Sequence, residues 1–503
     1  MTSTADFLRD TSYRALPAEF FAAAPVSPAP SPQWVVFNDA LAAQLGLPQD
    51  AATPELLEWL SGGAPPAGRE NIALAYSGHQ FGGWNPLLGD GRAAMLGEIV
   101  APDGSTYDVH LKGSGPTKFA RRGDGRATLS AMLREYIVSE AMAGLKIPTT
   151  RALAVVATGA PVYRETTHPG AVLTRIARSH VRVGTFQYAA NEDARRDDGH
   201  KLTRALADHC IARHFPELAG QKDAYLAFYG AVVARQARLI ARWMLVGFIH
   251  GVMNTDNMSI AGETIDFGPC AFMDGFNRRQ VFSSIDAAGR YAFNRQAPIA
   301  SWNLARLAET LLPLFDPDDA VALRKAQETL EGFQPAYVAA LAHGLERKLG
   351  LKPGDSANEP LIARMWRLLE TGKADFTLFF RRLTQVAAGA DETAFLDLFA
   401  ETDAAAREEA ANFLAEWRAV TAGEDFPSRL ALMRASNPVV IARNHRVEQA
   451  LAAANEGDLA PFWRLCAALK DPFQDPAPPE RPEDDLEAPP RPEERVHETF
   501  CGT

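Results

Sequence analysis

The chain has 503 residues, 47% of them hydrophobic and 22% charged, which is more than a single compact core usually holds and reads as an ordinary globular protein of two or three parts. With 51 basic against 62 acidic residues the formal net charge is -11, which argues against a broad nucleic-acid or anionic-membrane surface while leaving room for a local basic pocket. No run of about eighteen apolar residues occurs, so no membrane helix is expected.

In chain order, Asp6, Arg9, Asp10 and Arg14 interrupt the N-terminal apolar residues, so neither a signal peptide nor a transit peptide is expected. The Ala/Pro-rich stretch at 24–32 reads as a surface wrap, and 35–47 as a strand or turn entering a helix. The Gly-rich stretch 76–91 is punctuated too often for regular structure. Residues 93–100 and 106–112 read as strands joined by a turn at Pro102-Asp103-Gly104. Residues 127–145 read as a helix, with Leu129, Met132, Leu133, Tyr136 and Ile137 at helical spacing and Pro148 beyond its end. Two more strands follow at 152–157 and 171–176. After Gly184 the pattern turns helical: 223–246, then a polar loop and a short strand at 264–267. Further helices are expected at 304–314, 319–341, 363–369, 376–386, 403–420 and 443–454. From 471 to 495 prolines and acids dominate, which predicts an extended or disordered tail. There is no internal repeat. The class expected is α+β.

Four cysteines (Cys210, Cys270, Cys466, Cys501) show no CxxC or zinc-like spacing, so neither a metal knuckle nor a disulfide framework is indicated, and a reducing cytoplasm is the expected compartment.

The group richest in chemistry is His250-Gly251-Val252-Met253-Asn254-Thr255-Asp256-Asn257 with Asp266-Phe267-Gly268 after it. His250 and Asn257 keep the offset of the kinase catalytic loop H-R-D-x-x-x-x-N, and Asp266 stands where a kinase Asp holds metal. Val252 replaces the catalytic Asp, which disfavours ordinary γ-phosphoryl transfer but leaves metal binding by Asn257 and Asp266 intact. Upstream, Lys112 ends a strand in the manner of the kinase phosphate-contacting lysine, and the next helix offers Glu135 and Glu140 as its partner. Helical periodicity favours Glu140. Two tetrads, Gly89-Asp90-Gly91-Arg92 and Gly123-Asp124-Gly125-Arg126, can bring backbone N–H groups and arginines to phosphate; the alternative is a pair of ordinary turns with surface arginines. Arg175, Arg178 and Arg182 follow the last strand of this region. His79, His180 and His250 are not spaced as metal ligands, and Arg443-Asn444-His445 reads as capping or packing.

The segments YSGHQFGGWNPLLGDGRA (76–93), HLKGSGPTKFARRGDGRATL (110–129), LREYIVSEAMAGLKIPTTRAL (133–153), HGVMNTDNMSIAGETIDFGPCAFMD (250–274) and NPVVIARNH (437–445) resemble the selenoprotein O family, kinase-fold pseudokinases that act as protein adenylyltransferases. The resemblance implies a protein-kinase-like bilobal fold: a wrapping segment 1–59, a β-rich lobe with one long helix at 60–184, a helical lobe at 185–345, a helical extension at 346–470 and a flexible tail at 471–503. It implies a nucleotide bound in the inverted sense, with Gly89, Gly91, Arg92, Lys112, Asp124, Gly125, Arg175, Arg182 and Asp266 contacting ATP. It pairs Lys112 with Glu135, against periodicity. It also assigns Mg²⁺ or Mn²⁺ to Asn257 and Asp266 and proton acceptance to Asp256. The activity implied is AMP transfer from ATP to Ser, Thr or Tyr hydroxyls of proteins, with UMP transfer from UTP, conventional kinase activity and a non-catalytic nucleotide-binding scaffold left as alternatives. A cytoplasmic monomer is expected, with neither nucleic acid nor membrane as partner. Eukaryotic relatives carry selenocysteine at the antepenultimate position, which is Cys501 here, and a reversible disulfide between Cys501 and Cys270 is the accompanying hypothesis.

Overall fold

The computed structural model describes residues 7–25, 27–65, 69–197, 199–399, 404–423, 425–476 and 484–500. Its strands are β1 (Phe21–Ala23), β2 (Gln33–Phe37), β3 (Ile72–Leu74), β4 (Gly78–Gln80), β5 (Gly83–Asn85), β6 (Ala93–Val100), β7 (Thr106–Lys112), β8 (Ala127–Thr128), β9 (Arg151–Tyr163), β10 (Thr167–Ala177), β11 (Phe248–Ile249) and β12 (Ala271–Phe272). The main sheet runs β1-β3-β6-β7-β10-β9-β2, with β8 beside β10, and every pairing in it is antiparallel. The N-terminal chain therefore supplies both edges of the sheet, β1 on one side and β2 on the other, and blunts each with a short strand.

The helices are α1 (Asp39–Gln44), α2 (Pro54–Leu60), α3 (Leu129–Gly144), α4 (Val183–Arg196), α5 (Lys201–His214), α6 (Ala224–Leu245), α7 (Gln296–Phe315), α8 (Asp319–Glu331), α9 (Phe333–Leu349), α10 (Asn358–Gly372), α11 (Phe376–Ala387), α12 (Thr393–Leu396), α13 (Ala404–Val420), α14 (Phe426–Arg434), α15 (Asn444–Asn455) and α16 (Ala460–Lys470). Among the described residues none is long and apolar enough to cross a membrane. The class is α+β, an antiparallel sheet with many helices.

Three packed regions hold the molecule together. One face of the sheet buries Leu96, Val109, Leu111, Val156 and Ile176 against α1 and α2. The other face meets α3, whose core continues through α4 to α7 and takes in Val447 and Leu451 of α15 and Phe462 of α16. Helices α10 to α14 enclose a separate aromatic core around Phe379, Phe395, Phe413 and Trp417. The last two helices thus leave that second core and return to α3.

The expected strands at 93–100 and 106–112 form as read, and those at 152–157 and 171–176 lengthen into the β9–β10 hairpin. Three expectations are corrected. Residues 264–267 form no strand: Thr264 makes one isolated bridge to Thr149, and the strand pair of this region is instead Phe248–Ile249 with Ala271–Phe272. The helix expected over 319–341 is two helices, because the chain turns at Gly332. The tail expected to be extended or disordered over 471–495 is held in part, Arg446 Nη2 donating to the Asp485 carbonyl across 3.0 Å and Arg382 pairing with Glu487 at 3.1 Å, and the residues beyond it are seated too. Thr499 Oγ1 donates to the Pro269 carbonyl across 2.6 Å, and the Thr499 amide donates to Phe282 across 2.7 Å.

Candidate active site

A cavity of about 690 Å³ opens between the sheet, α3, the loop 252–257 and the segment 266–268, with the tail residues Val496, Glu498, Thr499 and Phe500 along one rim. Strand pleating explains the sheet's contribution. His110 and Lys112, two apart on β7, share a face, and Arg175 on the neighbouring β10 pairs in register with His110.

The centre of the site is a buried charge network. Lys112 Nζ donates to Glu135 Oε2 at 2.6 Å and to Asp266 Oδ1 at 2.9 Å. Arg175 Nε donates to Glu135 Oε1 at 2.9 Å and its Nη2 to Asp266 Oδ1 at 2.6 Å. Arg182 Nη2 stands 3.5 Å from Asp266 Oδ2, its guanidinium lies 4.6 Å from the centre of the Tyr76 ring, and its Nε is buried without a hydrogen-bond partner. Burial opposes the charge on Glu135, but Arg175 and then Lys112 outweigh it and keep that carboxylate below its usual range. Burial opposes the charge on Asp266 too, and Arg175, Lys112 and Arg182 together hold it well below. Lys112, Arg175 and Arg182 converge on Glu135 and Asp266, with Asp90 and Asp256 also acting on Arg182, so the site concentrates buried cations whose N–H groups an anionic ligand can share. Asp266 sits at φ 65°, a left-handed conformation that costs a non-glycine residue energy and marks a constrained position.

Glu140, the residue favoured by periodicity, faces elsewhere: it accepts from Arg151 Nε and Nη2 at 2.8 and 2.7 Å and from Asn38 at 2.9 Å.

The loop 250–257 is held from behind. His250 is fully buried, which lowers its pKa; its Nε2 donates to the Ile265 carbonyl at 2.9 Å and ties the loop to the segment bearing Asp266. The hairpin β4–β5, which the glycine punctuation concealed, lies over the loop. The His79 amide donates to Thr255 Oγ1 at 2.7 Å, the Phe81 amide to Asn254 Oδ1 at 3.1 Å, and Gln80 Nε2 to Asp256 Oδ2 at 3.1 Å. Asp256 Oδ1 is buried with no partner. Burial pushes the Asp256 carboxyl up to about 6, against Gln80 and Arg182.

Asn257 Nδ2 donates to the Val252 carbonyl at 2.9 Å, which leaves its Oδ1 as an acceptor, and among the described residues the polar contact of Asp266 Oδ2 is the long one to Arg182. Two hard oxygens without thiol or imidazole suit Mg²⁺ or Mn²⁺ completed by phosphate and water. Among the described residues no group of three His, Cys, Asp or Glu forms a self-sufficient metal site. The donor set fits a cation that arrives with a nucleotide.

The two tetrads part company. Asp90, Gly91 and Arg92 line the cavity. Asp90 is buried and accepts from His110 Nε2 at 3.0 Å and the Leu74 amide at 3.1 Å, which fixes the turn. Gly89, at φ 70°, lies behind the wall, where a Cβ would meet the Phe119 ring at 2.3 Å. In the second tetrad, Asp124 faces outward to Arg164 at 2.9 Å, and Gly125, at φ 66°, packs on the backbone of Gly115. Neither of them lines the cavity. Cys270 is buried just past Gly268, while Cys501 and hence the Cys270–Cys501 pairing lie outside the described residues.

Sequence reasoning missed Asp90 with His110, Gln80 and Arg134. His110 had a signal, since pleat period places it on the face of Lys112; the other contacts join distant segments. Arg134, beside Glu135 on α3, is buried and donates to the carbonyls of Gly268 at 3.1 Å and Cys270 at 2.6 Å, to Asn444 Oδ1 at 2.9 Å and to Glu448 at 2.8 Å. Arg443 is likewise buried and paired with Asp274 and Asp375, in keeping with a packing role for that cluster.

Comparison with known proteins matches residues 5–470 to the family described as "Protein adenylyltransferase SelO". Proteins named "Protein nucleotidyltransferase YdiU" are similar over their full length. The one from Bradyrhizobium sp. (strain ORS 278) is 52% identical over 502 residues, covering 99% of this chain and 100% of the relative. That from Cereibacter sphaeroides is 51% identical, with 99% and 100% covered. That from Rhizobium johnstonii is 49% identical, with 99% and 98% covered.

Proposed function

The chain belongs to the SelO family of protein adenylyltransferases and is a nucleotidyltransferase, and on that premise we propose that it transfers AMP from ATP to Ser, Thr or Tyr hydroxyls of proteins, releasing pyrophosphate. The observation that carries this reading is the depth of the cations. Arg175 and Arg182 are 2% and 4% exposed, deep enough to take the tail of a triphosphate bound in the inverted sense that the family resemblance implies, with its α-phosphate toward the Asp256 loop. We read the architecture as kinase-like and bilobal, with the sheet and α3 as one lobe (60–184), the helices to 345 as the other, a wrapping segment at 1–59, an extension at 346–470 and a tail at 471–503.

In this mechanism Lys112, Arg175, Arg182 and Arg92 bind the phosphates, and the backbone around Gly91 approaches them closely. Glu135 orients Lys112 and Arg175. Asn257 and Asp266 would hold Mg²⁺ or Mn²⁺, which would supply charge neutralisation at the phosphates. Asp256 accepts the proton of the acceptor hydroxyl as its oxygen bonds the α-phosphorus, and the bond from that phosphorus to the β-phosphate bridge breaks. Asp256 suits the task because its carboxyl, held near 6, is ionised yet basic at neutral pH. Incubation with ATP labelled at the α- or the γ-phosphate tests the reading. Label retained on protein from the α position alone is the expected result; retention from γ alone means a kinase, and from neither means a scaffold.

A further inference from the structure

Beside Asp256 the molecule presents a surface that nucleotide chemistry does not use. Trp84 on β5 is 44% exposed, and its ring centroid lies 4.9 Å from that of His79. His79 meets Trp302 of α7 edge-on at 5.2 Å. Trp302 in turn carries two guanidinium groups, Arg290 at 4.8 Å and Arg306 at 4.9 Å from its ring centre. Arg306 pairs with Glu309. Arg290 makes no ion pair among the described residues; its guanidinium lies against the rings of Trp302 and Tyr291 and hydrogen-bonds the Tyr291 hydroxyl, and its Nε is buried without a hydrogen-bond partner.

This surface is mechanically joined to the proposed proton acceptor. Arg290 lies over the turn of the hairpin, where a Cβ on Gly82 would be 3.7 Å from its guanidinium carbon. The same hairpin holds Asp256 through Gln80, and Tyr291 donates to Asn254 Oδ1 at 2.6 Å. Asp286 accepts from the amides of Arg290 and Tyr291 and shapes the loop, which also places Ile285, 62% exposed, on the cavity rim. Gln80 and Phe81 of the same hairpin line the cavity, so the hairpin links this surface to the cavity wall.

We propose that Trp84, Arg290, Trp302 and Arg306 form the docking surface for the acceptor protein and take a segment with Asp or Glu a few residues from the modified hydroxyl. A guanidinium laid on an indole face keeps its N–H edge for a carboxylate. In a chain of net charge -11 an uncompensated arginine on an aromatic wall selects against basic segments as well as for acidic ones. The delivery of a hydroxyl rests on the AMP-transfer reading; the preference for an acidic segment does not.

Two measurements on the full chain test it. Tryptophan fluorescence follows binding of two Ser-containing peptides that differ only in flanking Glu or Lys, and transfer from α-labelled ATP follows their use as acceptors. The Glu peptide is expected to bind roughly 10-fold tighter at low salt, with the preference reversed in Arg290→Glu and the KM for ATP unchanged, a change confined to acceptor binding. Equal binding of both peptides, an equal loss for both in Arg290→Glu, or tighter binding of a single-stranded oligonucleotide than of the Glu peptide overturns the proposal. Selective binding without transfer of label leaves the docking surface standing and counts against AMP transfer instead.

Discussion

A Cβ atom on Gly78 would lie 2.5 Å from Oδ1 of Asp256. The first residue of the β4–β5 hairpin is bare because the carboxylate occupies the space. Gly78 does not adopt positive φ, so alanine fits its backbone and the conflict is steric alone. Gly78→Ala is expected to displace the carboxylate and lower kcat by about 100-fold, with the KM for ATP little changed. Steady-state kinetics on any accepted protein checks this.

The Asp256 carboxyl is raised to about 6 by burial, and the form that accepts a proton is the ionised one. Activity is therefore expected to rise with pH, reach half its plateau near pH 6 and level off above it. Gln80→Ala removes a hydrogen bond that favours ionisation and is expected to move the midpoint upward. Asp256→Asn is expected to lose about 10²- to 10⁴-fold in kcat together with the acid limb. A pH–rate profile of the three proteins decides.

Asp266 faces three cations, so its removal leaves a more positive cavity. Asp266→Ala is expected to abolish transfer while nucleotide still binds, and to remove the dependence of that binding on Mg²⁺ or Mn²⁺. Transfer by Asp266→Ala would show the site to be wrongly placed.

Glu263 accepts the Arg178 amide at 2.9 Å, and burial pushes its carboxyl up to about 8 from an ordinary value of 4.5. The folded state thus binds more protons than the unfolded state between these values. The stability this proton contributes is present in full below pH 4.5 and is lost as pH rises through 8. Glu263→Gln keeps an oxygen for the Arg178 amide and does not titrate. Its melting temperature is expected to fall less between pH 6 and pH 9 than that of the parent, as read by calorimetry.

Arg134 joins α3 to the Gly268–Cys270 backbone and to α15 through four partners. Arg134→Met fills the volume but strands two carbonyls and an amide. A loss of about 2–4 kcal/mol in urea unfolding is expected, together with a lower kcat, because the neighbouring Glu135 shifts with the helix.

Much of the site was legible as local pattern. The strands 93–100 and 106–112, the offset from His250 to Asn257 and the Asp266-Phe267-Gly268 run each lie within a short window in which backbone preference and residue chemistry agree. Legibility ended where one segment had to find another. Alpha-helical periodicity pointed to Glu140 because it assumes a single buried face, yet α3 is buried on several sides, and Leu133, Arg134, Glu135, Tyr136 and Ile137 in succession are all covered. The tetrads are alike in sequence, but one turns Asp90 inward to His110 and the other turns Asp124 outward to Arg164.

The sequence by itself therefore determined the α+β class, the family and the residue types available for chemistry, since these follow from composition, spacing and long motifs. Only the tertiary structure decided which carboxylate meets Lys112, which glycine turn faces the cavity, and that the hairpin rests on Asp256. Hydrogen bonds and ion pairs depend on ångström-scale distances, and Lys112 and Asp266 come within 2.9 Å although 154 positions separate them. No local propensity encodes that separation; the packing of the sheet, α3 and the loop against one another does.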